Sequence, residues 1–177
     1  SDLIPRIAEM IVGVNKAEKF PIWKTIKLGT GLKTAYDFRQ ALKQSGCKIG
    51  DWGNDILGKP AFTASETETE IDLVNVSVAE LGFKDGATRK DIYDKAKELG
   101  LELCPNEVGP QLRLQYEDQP IGEWLRVAMG PLSDSVGSLY VFRVGRDGIG
   151  LWLSGSNGYP VSFWGGDIRF VFVRPRK

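Results

Sequence analysis

Apolar residues recur along this chain with two periods, and the changes between them mark its elements. Over residues 3–14, Leu3, Ile4, Ile7, Met10, Ile11 and Val14 fall at helical spacing, which predicts one amphipathic face. Such a helix either docks on its own domain or serves self-association. Phe20 to Leu28 changes to a strand-like pattern that Gly29-Thr30-Gly31 ends. Thr34 then opens a helix with Asp37 as its capping-box partner, Phe38, Ala41 and Leu42 as its buried stripe and Gly46 as its stop. Asp51 to Leu57 predicts a short helical turn closed by Gly58 and Pro60. Thr67 to Val78 is dense in β-branched residues and predicts a strand. A second capped helix follows, with Thr88 as cap, Asp91 as partner, Ile92, Ala96 and Leu99 as the apolar face and Gly100 as terminator.

Beyond Gly100 the pattern predicts strands over Gln111–Tyr116, Glu123–Met129, Leu139–Val144, Gly150–Leu153 and Ile168–Val173. The plan is α+β: two helices plus a C-terminal antiparallel sheet with long glycine-rich loops. No repeat or linker divides the 177 residues, which suit one domain over 19–177 with an amphipathic arm over 1–18.

Composition narrows the chemistry. Net charge is zero with no basic stripe, so nucleic acid is not an expected partner. Met10-Ile11-Val12 is far too short to cross a bilayer, and Arg6 and Glu9 interrupt any signal-like stretch, so no membrane insertion is expected. Cytoplasmic and cell-surface locations are both compatible with this pattern, and a monomer is the expected state. There is no histidine, which removes the commonest general base and most zinc sites. Cys47 and Cys104 read as two free thiols rather than one disulfide, and neither belongs to a Cys-x-x-Cys pair. These absences count against an enzyme, and no cofactor or metal is expected.

One stretch departs from the rest in its alphabet. The first 129 residues contain thirty Lys, Glu, Gln and Met; the next 39, Gly130 to Ile168, contain none, where that density would place about nine. A β-rich, turn-rich segment disfavours some of these residues but does not readily exclude them all. Nine glycines and six serines fill the stretch, with Val141-Phe142, Leu151-Trp152-Leu153 and Phe163-Trp164 as apolar islands expected to pin it to the core. Two alternating blocks bracket it, Trp124 to Met129 and Arg169 to Val173, and these read as adjacent core strands. The residues between the islands are either a display surface of the Tyr, Arg, Ser and Gly kind used by antibody paratopes or simply a loop-rich sheet edge.

From Trp124 to Lys177 the chain resembles the variable region of diversity-generating retroelement target proteins. The frame is Trp-Leu-Arg-Val-Ala-Met, then Asp-Ser-x-Gly, Val-Phe-x-Val, Gly-x-Trp-Leu, Gly-x-Pro, Phe-Trp and Arg-Phe-Val-Phe-Val-Arg-Pro-Arg. Trp23 to Thr30 and Gly50-Asp51-Trp52 to Lys59 resemble the invariant part of the same family. In that family, adenines of Asn codons ending in pyrimidine are randomised, which cannot produce Lys, Glu, Gln, Met or Trp. The resemblance implies a C-type lectin-like fold, fixed positions at Trp152 and Trp164, and recognition of a protein or other macromolecular ligand through a variable region over about 130–168.

Carried over by that frame, the variable positions are Val136, Ser138, Tyr140, Arg143, Gly145, Asp147 and Ile149, then Ser154, Ser156, Asn157, Tyr159, Val161, Ser162, Gly165, Gly166 and Ile168. Tyr140, Arg143 and Tyr159 are the expected energetic anchors. Other lectin-type domains bind sugar through calcium with a Glu-Pro-Asn or Gln-Pro-Asp element. Here Gln119-Pro120 is followed by Ile121, so no such calcium site is expected. An undiversified lectin or phage recognition module is the main alternative. An oxidase of the formylglycine-generating type is a weaker one, since it would need reactive thiols at Cys47 or Cys104.

Overall fold

Two threonines and two glycines set the ends of the longest helices. A computed structural model describes residues 16–176, so the helix expected over residues 3–14 lies outside the described residues. Residues 16–18 are helical. After strand β1 (Lys24–Leu28), helix α1 (Ala35–Gln44) begins with a complete capping box. The Thr34 hydroxyl accepts from the Asp37 N–H, and the Asp37 carboxylate accepts from the Thr34 N–H. Helix α3 (Arg89–Glu98) is capped by Thr88, which accepts from the Asp91 N–H. Gly46 and Gly100 follow these helices with φ of 76° and 84°, a left-handed conformation that favours glycine. Between α1 and α3 lie β2 (Lys48–Ile49), α2 (Asp51–Leu57), β3 (Thr69–Ser77), a 3-10 turn (Ala79–Leu81) and β4 (Ala87–Thr88).

Helix α4 (Val108–Gln115) stands where a strand over Gln111–Tyr116 is expected from the sequence. The alternation of Leu112 and Leu114 with polar neighbours suggests a half-buried strand, but Gln111 and Arg113 are themselves buried. The informative spacing is instead Val108 to Leu112, four residues apart and both fully buried, which is helical. Among the described residues there are thus four helices of seven residues or more, not two. The chain then runs through β5 (Trp124–Val127), β6 (Leu132–Ser133), β7 (Leu139–Asp147), β8 (Gly150–Asn157), β9 (Phe163–Trp164) and β10 (Arg169–Val173).

The fold is α+β, built on a large mixed sheet rather than a C-terminal antiparallel one. Strand order is β1-β3-β10-β5-β7-β8-β2, with β6 pairing with β7 off this path. β5 and β10 are adjacent, as their alternation predicts, but parallel: Arg169 lies beside Leu125 and Phe170 beside Arg126. β2 also pairs with β8 in parallel, and β10 pairs antiparallel with β3, bringing N- and C-terminal parts of the chain into one sheet. Because side chains alternate along a strand, β10 feeds two cores. Val171 and Val173 join Phe38, Leu42, Ile56, Leu57, Val108 and Leu112 under α1, α2 and α4. Phe170 and Phe172 join Ile92, Tyr93 and Ala96 under α3.

A buried guanidinium ties the helical layer to the hairpin formed by β7 and β8. Arg113, fully buried on α4, donates to Gln119 Oε1 at 2.7 Å, the Gly145 carbonyl at 2.9 Å, the Trp152 carbonyl at 3.3 Å and the Tyr116 carbonyl. Gly145 and Trp152 face each other across the hairpin, so one side chain braces both strands. Gln119 extends the bracing by donating to the Val144 carbonyl. Arg113→Met would leave several of these buried acceptors unpaired and is expected to cost about 3 kcal/mol. Urea unfolding measures this, and a loss below about 1 kcal/mol would contradict the bracing role.

Candidate functional site

The β7–β8 hairpin presents two faces of opposite character. On one, Phe142, Val144 and Leu153 are fully buried against the helices. The register pairs Arg143 with Ser154, Gly145 with Trp152 and Val141 with Ser156 on the other. β5 extends this second face with Trp124 beside Gly145 and Arg126 beside Arg143. Trp124, Arg126, Arg143 and Trp152 are each half-buried there, and Arg126 reaches Trp164, which packs against the apolar cluster under α3. The Arg143 guanidinium lies 4.3 Å over the Trp124 ring, and the Arg126 guanidinium lies 4.9 Å over the Trp164 ring. Burial, reinforced by the neighbouring Arg143, pushes Arg126 down to about 10.

The sixteen positions expected to vary follow this hairpin and the loops at its open end. Val136, Ile149, Asn157, Tyr159 and Val161 are exposed, and Ser138, Tyr140, Arg143, Asp147, Ser162, Gly165, Gly166 and Ile168 are half-buried. Gly145, Ser154 and Ser156 are buried, contrary to a display role in this conformation. They form a strip rather than one compact patch. Ile149 sits at the turn between β7 and β8, while Val136, Ser138, Tyr140, Asn157 and Tyr159 gather at the other end, roughly 23 Å away at strand rise.

Several of these side chains serve their own loops. Asn157 Oδ1 accepts from the Tyr159 N–H at 3.2 Å and from the Ser162 hydroxyl at 2.7 Å. Asp147 Oδ1 accepts from the N–H groups of Ile149 and Gly150 across the hairpin turn. The Asp147 carboxyl is held below its ordinary range first by the indole of Trp152, which approaches without the full geometry of a hydrogen bond, and then by those amides. Tyr140 stacks on exposed Trp52, centroids 5.0 Å apart. Two glycines are held by close approach. A Cβ at Gly145 would fall inside the Trp124 indole, and one at Gly166 would meet the Lys84 carbonyl. Ile168 packs against the cluster under α3. Phe163, expected from the sequence to anchor its loop in the core, is instead 63% exposed.

Trp52, Trp124 and Arg126 are absent from the sequence-derived set, although one signal for the last two was available. In Trp124-Leu125-Arg126-Val127 the apolar Leu125 and Val127 are buried, so Trp124 and Arg126 must share the opposite face. Nothing in the local sequence marks Trp52, which meets Tyr140 only through the tertiary fold.

Several titratable groups elsewhere are committed to structure. A depression of ≈ 650 Å³ beside β1, β3 and β10 includes Asp72, Glu107 and Arg176 in its lining. Asp72 accepts from Arg176 and Thr25, and its carboxyl is lowered first by Arg176. Glu107 accepts from the Gly29 and Ser65 N–H groups and from Gln111. Both cysteines are free, and burial raises both thiols, Cys104 further than Cys47. Among the described residues no group of three or more His, Cys, Asp or Glu could hold a metal ion, and no helix is long and apolar enough to cross a membrane. Comparison with protein-family models, with curated proteins and with solved structures returned no match.

Two outcomes check this geometry. Gly145→Ser is expected to lose about 2–3 kcal/mol in urea unfolding, whereas Val136→Tyr and Val161→Tyr stay within about 0.5 kcal/mol. Equal costs at the three positions would contradict the division between packed and open sites. Titration with a chromogenic thiol reagent is expected to modify Cys47 in the native protein and Cys104 only after denaturation. Fast native reaction at both would contradict the placement of Cys104.

Proposed function

We propose that this chain is a ligand-binding variable protein diversified by a retroelement, carrying its variable side chains on a C-type lectin-like scaffold. The observation that carries the reading is the restricted alphabet of residues 130–168 combined with where those residues lie. Strand composition does not account for it. In the same sheet β1 contains Lys24 and Lys27 and β3 contains Glu70, all outside the restricted stretch. Surface exposure does not account for it either. Val136, Ile149 and Val161 are exposed by 86%, 71% and 80%, at positions where Lys and Glu are the usual occupants. All sixteen carried-over positions hold residues that a randomised Asn codon ending in pyrimidine can encode.

The packing narrows which of those positions can vary freely. Val136, Ser138, Tyr140, Arg143, Ile149, Tyr159, Val161, Ser162 and Gly165 have open or half-open surroundings. Gly145, Gly166 and Ile168 are held by their neighbours, and Ser154 and Ser156 tolerate only small side chains without rearrangement. Binding rather than turnover fits a site of stacked aromatics, arginines and hydroxyls in a chain whose two thiols are raised by burial and pack in the core away from it. The scaffold assignment rests on the alternating order of strands and helices and on β10 lying between β3 and β5.

Sister copies of the gene, read together with the DNA beside each, test the proposal. They are expected to differ chiefly at the open positions, to keep Trp124, Arg126, Trp152 and Trp164, and to lie near a reverse transcriptase and a near-copy of their own 3′ end. Copies that differ evenly along their length would overturn it.

A further inference from the structure

Arg126 and Arg143 are direct cross-strand neighbours, so their side chains leave the same face with Cβ atoms roughly 5 Å apart. Like charges placed this way repel, and both residues are half-buried. Neither guanidinium makes a hydrogen bond or an ion pair with the described residues, and the Nε of each is covered by protein without an acceptor. The Trp164 indole N–H, beneath Arg126, is covered and unpartnered in the same way. Arg39, Arg113, Arg146, Arg169, Arg174 and Arg176 each donate to an oxygen of the protein, although the Nε of Arg113 is also covered without an acceptor. Arg89, stacked on Tyr93, shares the pattern of Arg126 and Arg143 but stands without a second arginine beside it. Asp167 attracts Arg126 through space but forms no ion pair with it. The covered Nε and indole atoms lie out of a ligand's reach, but the guanidinium forks of these two half-buried cations have no protein acceptor, and an oxyanion would relieve that deficit.

We propose that Arg126 and Arg143, framed by Trp124 and Trp164, form a carboxylate-recognition subsite for an acidic segment of a protein partner. A carboxylate presents two oxygens in one plane, which suits two guanidinium forks already held flat by stacking on indoles. Phosphate backbones are gripped by runs of cations, whereas this is an isolated pair on a chain of zero net charge. Exposed Val161 and Phe163, just before Trp164 in the chain, offer apolar contacts of the kind found beside anchors in protein interfaces. Trp124, Arg126 and Trp164 lie outside the sixteen variable positions. Arg143 is one of the sixteen, so the paired subsite belongs to this variant, while Arg126 and its two flanking tryptophans are its constant half; the subsite stands whether or not the surface is diversified.

Tryptophan fluorescence tests this directly, because two indoles lie against the two cations. The whole protein is titrated at low salt with acetyl-tetraglutamate amide, acetyl-tetraglutamine amide and inorganic phosphate. A saturable change with the glutamate peptide alone is expected, weakened at least tenfold in Arg126→Gln and in Arg143→Ser. Arg143→Ser keeps the test decisive if Arg126→Gln does not fold: a tenfold loss at unchanged melting temperature supports the subsite, and unchanged affinity overturns it. No saturation, or phosphate saturating at lower concentration than the peptide, also overturns it. The sister-gene comparison decides diversification separately, so failure of either idea leaves the other standing.

Discussion

Arg113 carries its charge into the interior without a carboxylate partner, and the rest of the structure is arranged around that fact. Burial depresses its pKa, and the carbonyls of Tyr116, Gly145 and Trp152 together with Gln119 replace the water it loses. Because Gly145 and Trp152 belong to different strands, the guanidinium fixes the hairpin's position on α4 as well as its register. A planar fork with five donors is suited to this; an ammonium would reach fewer of these acceptors. The outer face of the hairpin can then carry unusual chemistry without setting the fold, since the inner face and its brace already do so.

That division runs through single strands. In β7, Phe142 and Val144 are inside while Arg143 between them rests on Trp124. In β5, Leu125 and Val127 are inside while Trp124 and Arg126 line the other face. Period-two alternation thus places framework and recognition residues one position apart and separates them by the thickness of a sheet. The separation is incomplete. Trp124 needs the flat surface of Gly145, and Asn157 and Asp147 spend their oxygens on the loops that present their neighbours. A surface of this kind is free to change only where no neighbour leans on it.

How much of this was legible varied with how local the cause was. The caps at Thr34 and Thr88, the stops at Gly46 and Gly100, and the long strands depend on residues within a few positions, and their signals are direct. The adjacency of β5 and β10 was legible from matching alternation, but their parallel direction was not, because alternation carries no polarity. Helix α4 was hidden because its polar residues are buried: Arg113 and Gln111 find partners far away in sequence, so polarity no longer reports exposure. Phe163 and Ser156 show the same failure from opposite sides, an exposed aromatic and a buried serine.

The sequence by itself determined the α+β class, the positions of the capped helices and the change of alphabet at Gly130, since each is written in composition or in contacts between near neighbours. Only the tertiary structure decided which of the expected variable positions are open, that Arg126 stands beside Arg143, and that Trp124 closes over Gly145. Those outcomes depend on which strands pair and in what register, and such pairings join residues too far apart in the chain for any local pattern to encode.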